Sequence, residues 1–207
     1  MTALSLAGTL GLVVFALTGA LVAARNRMDP FGFALLATVT GVGGGALRDM
    51  LLGAPVGFVS KPAPLVICIA TGVATYALGR LVPGFIPLLE RRHTLLWADA
   101  AGLAIFAVTG AERALDFGAH WIAAIVLGAM TASFGGVVRD ILAGERPLIL
   151  HREIYVTAAF VGAATFVAGR LVLPPDVALA LAIVVGFALR ALAIAFDWSL
   201  PTFTPRA

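Results

Sequence analysis

Charged residues are scarce in this chain. Only 12% of its 207 residues are charged, whereas 61% are hydrophobic, and the mean hydropathy is +1.04. Soluble domains carry about 25% charged and about 45–50% apolar residues, so the composition argues against a soluble domain and predicts an integral membrane protein. The net charge of +3 does not indicate a nucleic-acid partner, because the basic residues are scattered at the ends of apolar runs, where membrane topology places them.

Groups that usually carry catalysis or bind metals are also scarce. The single cysteine, Cys68, cannot form an intrachain disulfide. His93, His120 and His151 all lie at the ends of apolar runs, and no His/Cys/Asp/Glu cluster has metal-ligand spacing. No Ser-His-Asp set and no phosphate-binding loop stands out. The sequence therefore predicts neither an enzyme nor a resident cofactor.

A basic N-terminal segment is missing as well, since residues 1–10 contain no Lys or Arg. A cleavable secretory signal needs such a segment ahead of its apolar part. Residues 15–20 (FALTGA) also recur as residues 106–111 (FAVTGA), and one copy of an internal repeat is part of the fold. We therefore expect the first apolar run to remain in the protein.

Long apolar runs dominate what is present, and seven windows reach the roughly 20 residues that a helix needs to cross a bilayer. These predicted spans are 4–24, 32–52, 63–82, 94–114, 121–143, 153–173 and 176–198. Short connections rich in Pro, Gly and charge separate them, and the longest and most polar one contains Glu90-Arg91-Arg92-His93. We predict an all-α membrane protein, with residues 1–207 in a single transmembrane domain.

The sequence repeats itself once. Residues 4–82 align with residues 94–173 at an offset of about 91, while span 7 (176–198) has no counterpart. Three spans are an odd number, so the second copy enters the membrane from the opposite face. This layout predicts seven transmembrane helices, arranged as a 3+3 inverted repeat plus a seventh helix, with a pseudo-two-fold axis in the membrane plane.

The Lys and Arg residues of the connections predict the orientation. Eight fall on one side: Arg25, Arg27, Arg80, Arg91, Arg92, Arg146, Arg152 and Arg206. Three fall on the other: Lys61, Arg113 and Arg170. The side with eight is expected to be cytoplasmic, which places the N-terminus outside and the C-terminus in the cytoplasm.

Each copy of the repeat carries a Gly-Gly-x-x-Arg-Asp motif inside an apolar span. The motif residues are Gly43, Gly44, Gly45, Arg48 and Asp49 in span 2, and Ser133, Gly135, Gly136, Arg139 and Asp140 in span 5. Glycine weakens a helix by roughly 1 kcal/mol relative to alanine, and unwound backbone at membrane depth is tolerated where it lines water. We predict that the glycines open and kink spans 2 and 5, so that half-helix ends and free carbonyls border a water-filled path. The alternative is close packing of two helices through small residues.

The charges of the two motifs lie where hydrocarbon penalises them, and such residues usually face a bundle interior or an aqueous cavity. The inverted repeat predicts Arg48 and Asp49 toward the outer mouth of the path and Arg139 and Asp140 toward the cytoplasmic mouth. The alternative is a purely structural ion pair. Because neighbouring residues of a helix point about 100° apart, each Arg can also pair with another span.

Three further polar residues are candidates for the lining of the path. Asp99 in span 4 shares a helical face with Phe106 and Thr109, which suits either a pore lining or a structural acid satisfied by a neighbour. Thr18 and Thr109 are symmetry-matched hydroxyls of the two copies. They either offer neutral oxygens to a dehydrated cation or bond back to their own helices.

The doubled motif, the paired Phe-Ala-x-Thr-Gly-Ala segments and the three-plus-three-plus-one layout resemble the prokaryotic branch of the trimeric intracellular cation channel family, formerly grouped as putative glycine transporters. The resemblance covers essentially the whole chain. It implies a homotrimer in a bacterial-type plasma (inner) membrane, with one pore per protomer that conducts K⁺ and, less selectively, Na⁺. It implies that kinked spans 2 and 5 line that pore and that K⁺ passes through without a fixed binding site. It also implies that membrane lipids surround the protein. The Lys-Glu-Val lipid motif of the animal members is absent.

Two functions remain open from the residues alone. A passive cation channel would use hydroxyls, carbonyls and Asp99 as multiple weak oxygen sites. An alternating-access carrier of a small zwitterion such as glycine would place half-helix N-termini against the substrate carboxylate, which is also typical of inverted repeats. A structural subunit without transport is a third, weaker reading.

Overall fold

A computed structural model describes residues 3–89, 94–150 and 154–199, and these residues are almost entirely helical. The helices are α1 (Ala3–Arg25), α2 (Pro30–Leu51), α3 (Gly57–Ser60), α4 (Ala63–Leu81), α5 (Phe85–Leu89), α6 (Thr94–Asp116), α7 (Trp121–Leu142), α8 (Val156–Gly169) and α9 (Pro175–Ala195), with a 3₁₀ turn at Leu148–Leu150. The polar connection predicted at 90–93, His151, Arg152 and Arg206 lie outside the described residues.

Six of the described helices are long and apolar enough to cross a bilayer, namely α1, α2, α4, α6, α7 and α9. They correspond to six of the seven predicted windows, and they make this chain an integral membrane protein. The window 153–173 contains the shorter helix α8, whose 14 residues reach only about 21 Å at 1.5 Å per residue. A hydrocarbon core is about 30 Å thick, so the count of seven crossings stays a prediction.

The helices that carry the two motifs end in the same way. Gly53 (φ 64°) follows α2 and Gly144 (φ 70°) follows α7, and both adopt the left-handed conformation that closes a helix C-terminus at little cost for glycine. At its other end, α2 starts with Pro30 after Asp29, whose side chain accepts a 2.7 Å hydrogen bond from the amide of Gly32. The Arg-Asp pairs therefore lie in the last turns of α2 and α7.

The core consists of two apolar clusters joined at a central crossing. One cluster is built mainly from α1, α2 and α4, with Leu95 of α6, and the other mainly from α6, α7, α8 and α9, with Ala7 of α1. Helix α1 packs on α6 and α2 packs on α7, which joins the two clusters. The offset of about 91 pairs the same helices, so these contacts support the inverted repeat, which remains a prediction in its details.

The backbone opening that we predicted at the glycines is wrong. Helices α2 and α7 continue without interruption through both glycine motifs. Instead, the backbone of Gly44 lies against the carbonyl of Thr131, and the backbone of Gly135 lies against the carbonyl of Thr40. Close contact between helices is the role that small residues play in membrane bundles. A kink of the helix axes remains a prediction.

Candidate functional site

Two cavities enter the helical bundle. The Arg48 cavity, of about 430 Å³, is lined by residues from the first half of α1, the second half of α2, α3, the start of α4 and the second half of α6, and by Thr131 of α7. The Arg139 cavity, of about 360 Å³, is lined by Arg25, Leu95, Leu96, Arg139, Asp140, Glu145, Arg146 and Leu148. Helices α1 and α6 contribute opposite ends to the two cavities, so the cavities lie at opposite ends of the bundle.

An aromatic pair closes the inner end of the Arg48 cavity. The rings of Phe15 and Phe106 meet edge to face with their centroids 5.0 Å apart, which is a favourable geometry for aromatic rings. Phe15 is fully buried and its ring lies directly against the backbone of Gly102, where any side chain would collide with it. On α1, Phe15 lies between the residues that line the two cavities, and sequence reasoning did not assign Phe15 any role.

A buried ion-pair network, the Arg139 cluster, adjoins the Arg139 cavity. It consists of Thr18, Asp99, Arg139 and Asp140. Arg139 Nη1 donates to Thr18 Oγ1 and to Asp99 Oδ1, each at 3.0 Å, and its Nε donates to Asp140 Oδ1 at 2.8 Å. The Arg139 side chain is 0% exposed. One guanidinium thus ties α1, α6 and α7 together.

Unused hydrogen-bonding capacity remains in this cluster beside Gly136. A Cβ atom at Gly136 would lie 3.4 Å from Tyr155 Oη, 3.6 Å from Arg139 Nη2 and 3.7 Å from Asp99 Oδ1, so these three atoms converge there. Arg139 Nη2 and Asp99 Oδ2 are buried without a hydrogen-bond partner among the described groups. Buried polar atoms in that state are costly, which makes the network sensitive to small rearrangements.

The pair Arg48 and Asp49 is a simpler version of the same arrangement. Arg48 Nη2 lies 2.7 Å from Asp49 Oδ1, and the Arg48 side chain is 13% exposed because it faces its cavity. The offset of about 91 puts Gly8 where the second copy has Asp99. Arg48 therefore pairs with one carboxylate in its own motif, whereas Arg139 pairs with two carboxylates and reaches two other helices, α1 and α6.

The aspartates of both motifs also anchor the connections that follow. Asp49 Oδ2 accepts a 2.9 Å hydrogen bond from the amide of Gly57, and Asp140 Oδ2 accepts one of 3.1 Å from the amide of Leu148. Each donor lies eight residues after its acceptor. The sequence gives no signal for such a bond, because any residue except proline can supply the backbone amide.

The predicted hydroxyls all bond back to their own helices. Thr18 donates to the carbonyl of Phe15 at 2.8 Å, while its oxygen accepts from Arg139. Thr109 donates to the carbonyl of Ile105 at 3.0 Å and lines the Arg48 cavity. Ser133 donates to the carbonyl of Ala129 at 2.8 Å and is buried. Of the three, only Thr109 faces a cavity.

The motif glycines have different surroundings. Gly45 lines the Arg48 cavity, and Gly136 lies against the Arg139 cluster. Gly44 and Gly135 lie at the helix crossing described above, where a Cβ atom at Gly43 would be in ordinary contact with the Cα of Gly135, at 3.8 Å. Within the described ranges, no group of three or more His, Cys, Asp or Glu side chains is positioned to hold a metal ion.

Known proteins resemble this chain over nearly its whole length. The sequence model of the family described as "Glycine transporter" matches residues 5–80 and again residues 96–170. The UPF0126 inner membrane protein YadS of Escherichia coli (strain K12) is 38% identical over 200 residues, covering 93% of this chain and 92% of YadS.

Solved structures also resemble this chain over nearly its whole length. The TRIC trimeric intracellular cation channel orthologue from Rhodobacter sphaeroides is 46% identical, with a TM-score of 0.87, and the match covers 96% of this chain and 100% of that one. A second structure, solved to explain conductance through TRIC cation channels, is 35% identical with a TM-score of 0.83, and the match covers 98% of both chains.

Proposed function

We propose that this chain, which belongs to the prokaryotic branch of the trimeric intracellular cation channel family, is a cation channel with a pore inside each protomer. The pore conducts K⁺ and, less selectively, Na⁺. It runs between the Arg48 cavity and the Arg139 cavity along the crossing of α2 and α7. The observation that carries this proposal is the pair of cavities, which enter from opposite ends of α1 and α6 and are separated along α6 by the stretch from Leu96 to Phe106, about 15 Å of helix.

The Arg139 cluster acts as the closed barrier of this pore. Its guanidinium occupies a site built from the oxygens of Thr18, Asp99 and Asp140, which are the kind of ligands that a dehydrated cation uses. A permeant cation can enter that site only after the guanidinium leaves it. Arg139 thus serves as a tethered cation that fills the narrowest polar part of the pore in the closed state.

The chain resides in a bacterial inner membrane as a homotrimer, with lipids around it. The inner membrane location is supported by the name of the relative YadS, and the trimer by the name of the Rhodobacter sphaeroides relative. The distribution of Lys and Arg supports an Arg139 cavity that opens to the cytoplasm and an Arg48 cavity that opens to the outside. Each Arg-Asp pair then lies on the side of the pore to which the inverted repeat assigned it.

Single-channel recording in planar bilayers tests the proposed function. Purified protein is expected to give discrete K⁺ currents that reverse near the K⁺ equilibrium potential, with a smaller Na⁺ permeability. The family description "Glycine transporter" names the competing activity, so glycine counterflow into proteoliposomes is measured in parallel. Saturable glycine counterflow without unitary currents would show that the protein is a glycine carrier and not a channel.

Replacing Asp99 by asparagine tests the barrier itself. Asp99→Asn removes one of the two carboxylates that hold Arg139 in place, and hydrogen bonds to charged groups contribute about 1.5–3 kcal/mol. The open probability is therefore expected to rise about tenfold or more. Single-channel open times and closed times provide the measurement.

Asp116→Asn is the matched control for this prediction. Asp116 belongs to the same helix and lines the Arg48 cavity, away from Arg139. We expect this control to alter the unitary conductance at most. Equal open probabilities for the Asp99→Asn and Asp116→Asn variants would contradict the assignment of the Arg139 cluster as the barrier.

A further inference from the structure

Helix α9 lies outside both segments of the family match, and it packs against the second half of the chain, on α6 and α8. Small residues allow α9 to approach α6 and α8 closely. A Cβ atom at Gly186 would lie 3.3 Å from the Cα of Gly162 on α8 and 3.7 Å from the Cβ of Ala104 on α6. Backbones that approach in this way hold the rest of the α9 face in a fixed position.

Arg190 lies one helical turn beyond Gly186 on this same buried face. Its side chain is among the largest that are fully buried, and the residue is 1% exposed. Its guanidinium carbon lies 5.2 Å from the centroid of the Tyr155 ring, and Nη1 donates to the carbonyl of Ile154 at 3.4 Å. A desolvated guanidinium at that distance from an aromatic face is attracted to it.

The hydroxyl end of the Tyr155 side chain reaches the Arg139 cluster. The residue is 2% exposed, and its hydroxyl converges with Arg139 Nη2 and Asp99 Oδ1 beside Gly136. One aromatic side chain thus touches Arg190 of α9 through its ring and the closed barrier through its hydroxyl. The sequence alone does not predict this arrangement, because Asp99, Tyr155 and Arg190 belong to three different segments of the chain.

We infer that Arg190 is a positioning residue for the barrier, because it holds Tyr155 against Asp99 and Arg139 and so couples helix α9 to the closed state. The inference rests on the proposed role of the Arg139 cluster as the barrier of the pore. Arg190 is not among the residues that line the Arg48 and Arg139 cavities. Loss of its charge releases the Tyr155 ring, and the closed network loses the hydroxyl that Tyr155 brings to it.

The experiment compares the Arg190→Gln, Arg190→Lys and Arg170→Gln variants in single-channel recordings. Arg190→Gln is expected to raise the open probability about threefold to tenfold, with the unitary conductance unchanged, which matches the usual strength of a buried cation–π contact. Arg190→Lys keeps the cation and is expected to restore most of the wild-type value. Arg170→Gln is the matched control, because Arg170 also lies over a ring, that of Phe166, at 5.8 Å, but at the far end of α8.

A second variant separates coupling from general loosening of the fold. Tyr155→Leu removes the ring while leaving Arg190 in place, and it is expected to raise the open probability by a factor similar to that of Arg190→Gln. Combining the two substitutions should add little, since both break the same chain of contacts. The inference would be overturned if the increases in open probability of the two single variants multiplied in the double variant. It would also be overturned if Arg190→Gln had the same open probability as Arg170→Gln. If Arg190→Gln does not fold, the absence of a rise in Tyr155→Leu overturns it equally.

A thiol-labelling assay tests the same coupling without any ion current. Thr109→Cys, in a Cys68→Ala background, places a thiol in the Arg48 cavity, beyond the barrier as seen from the Arg139 side. A membrane-impermeant thiol reagent applied from the Arg139 side should modify it about threefold faster when Arg190→Gln is added, and at an unchanged rate with Arg170→Gln. If wild-type protein carried no unitary current but labelling followed this pattern, the channel function would fail and the coupling would stand. An unchanged labelling rate with Arg190→Gln would overturn the coupling itself.

Discussion

Replacing Arg139 by glutamine is expected to lower the free energy of unfolding by about 3–5 kcal/mol, the usual cost of leaving buried charges without their partner. The substitution strands the carboxylates of Asp99 and Asp140, which are 2% and 4% exposed. In a chain of this size, that loss corresponds to a decrease of the thermal midpoint on the order of 10 °C. Thermal unfolding of the purified protein in detergent provides the measurement.

The internal repeat supplies the control for this prediction. Arg48→Gln removes the equivalent guanidinium, but Arg48 is 13% exposed, faces its cavity and leaves only one carboxylate without its partner, so we expect a smaller loss, of about 1–3 kcal/mol. Adding Asp99→Asn to Arg139→Gln should recover part of the lost stability, because it removes one of the stranded charges. Equal destabilisation by Arg48→Gln and Arg139→Gln would contradict the buried network described above.

Replacing adjacent glycines of the first motif by alanine is expected to change the stability of the protein in opposite directions. Gly44→Ala places a methyl group against the carbonyl of Thr131, and Gly135→Ala places one against the carbonyl of Thr40. Neither backbone carbonyl can rotate away, so α2 and α7 must separate. We expect each substitution to cost about 1–3 kcal/mol, measured as a decrease of the thermal midpoint in detergent.

Gly43→Ala and Gly45→Ala are the matched controls. A Cβ atom at Gly43 would lie 3.8 Å from the Cα of Gly135, and one at Gly45 would lie 3.7 Å from Arg48 Nη2, both ordinary contacts. Alanine is the better helix former by roughly 1 kcal/mol, so these variants should be neutral or more stable. A Gly44→Ala variant as stable as Gly43→Ala would show that the glycines do not serve the crossing.

The sequence by itself determined the class of the protein and the positions of most of its helices. Charge is so scarce that the composition indicates a membrane protein, and windows such as 32–52 and 121–143 differ from α2 and α7 by at most two residues at either end. Helix ends are marked by local chemistry, namely caps, glycines and charges, which a linear reading detects. The doubled motif and its family resemblance were equally visible, because they depend on spacing along the chain.

Only the tertiary structure decided what the motif residues do. The two Arg-Asp pairs are nearly identical in sequence, yet Arg139 reaches Asp99 and Thr18 on other helices, whereas Arg48 faces a cavity. The glycines at the crossing, which we expected to open their helices, instead let the two backbones touch. Tyr155 and Arg190 join the network from other segments. Which side chains meet depends on the rotation and approach of whole helices, which is determined by packing over many residues and not by any short stretch of the chain.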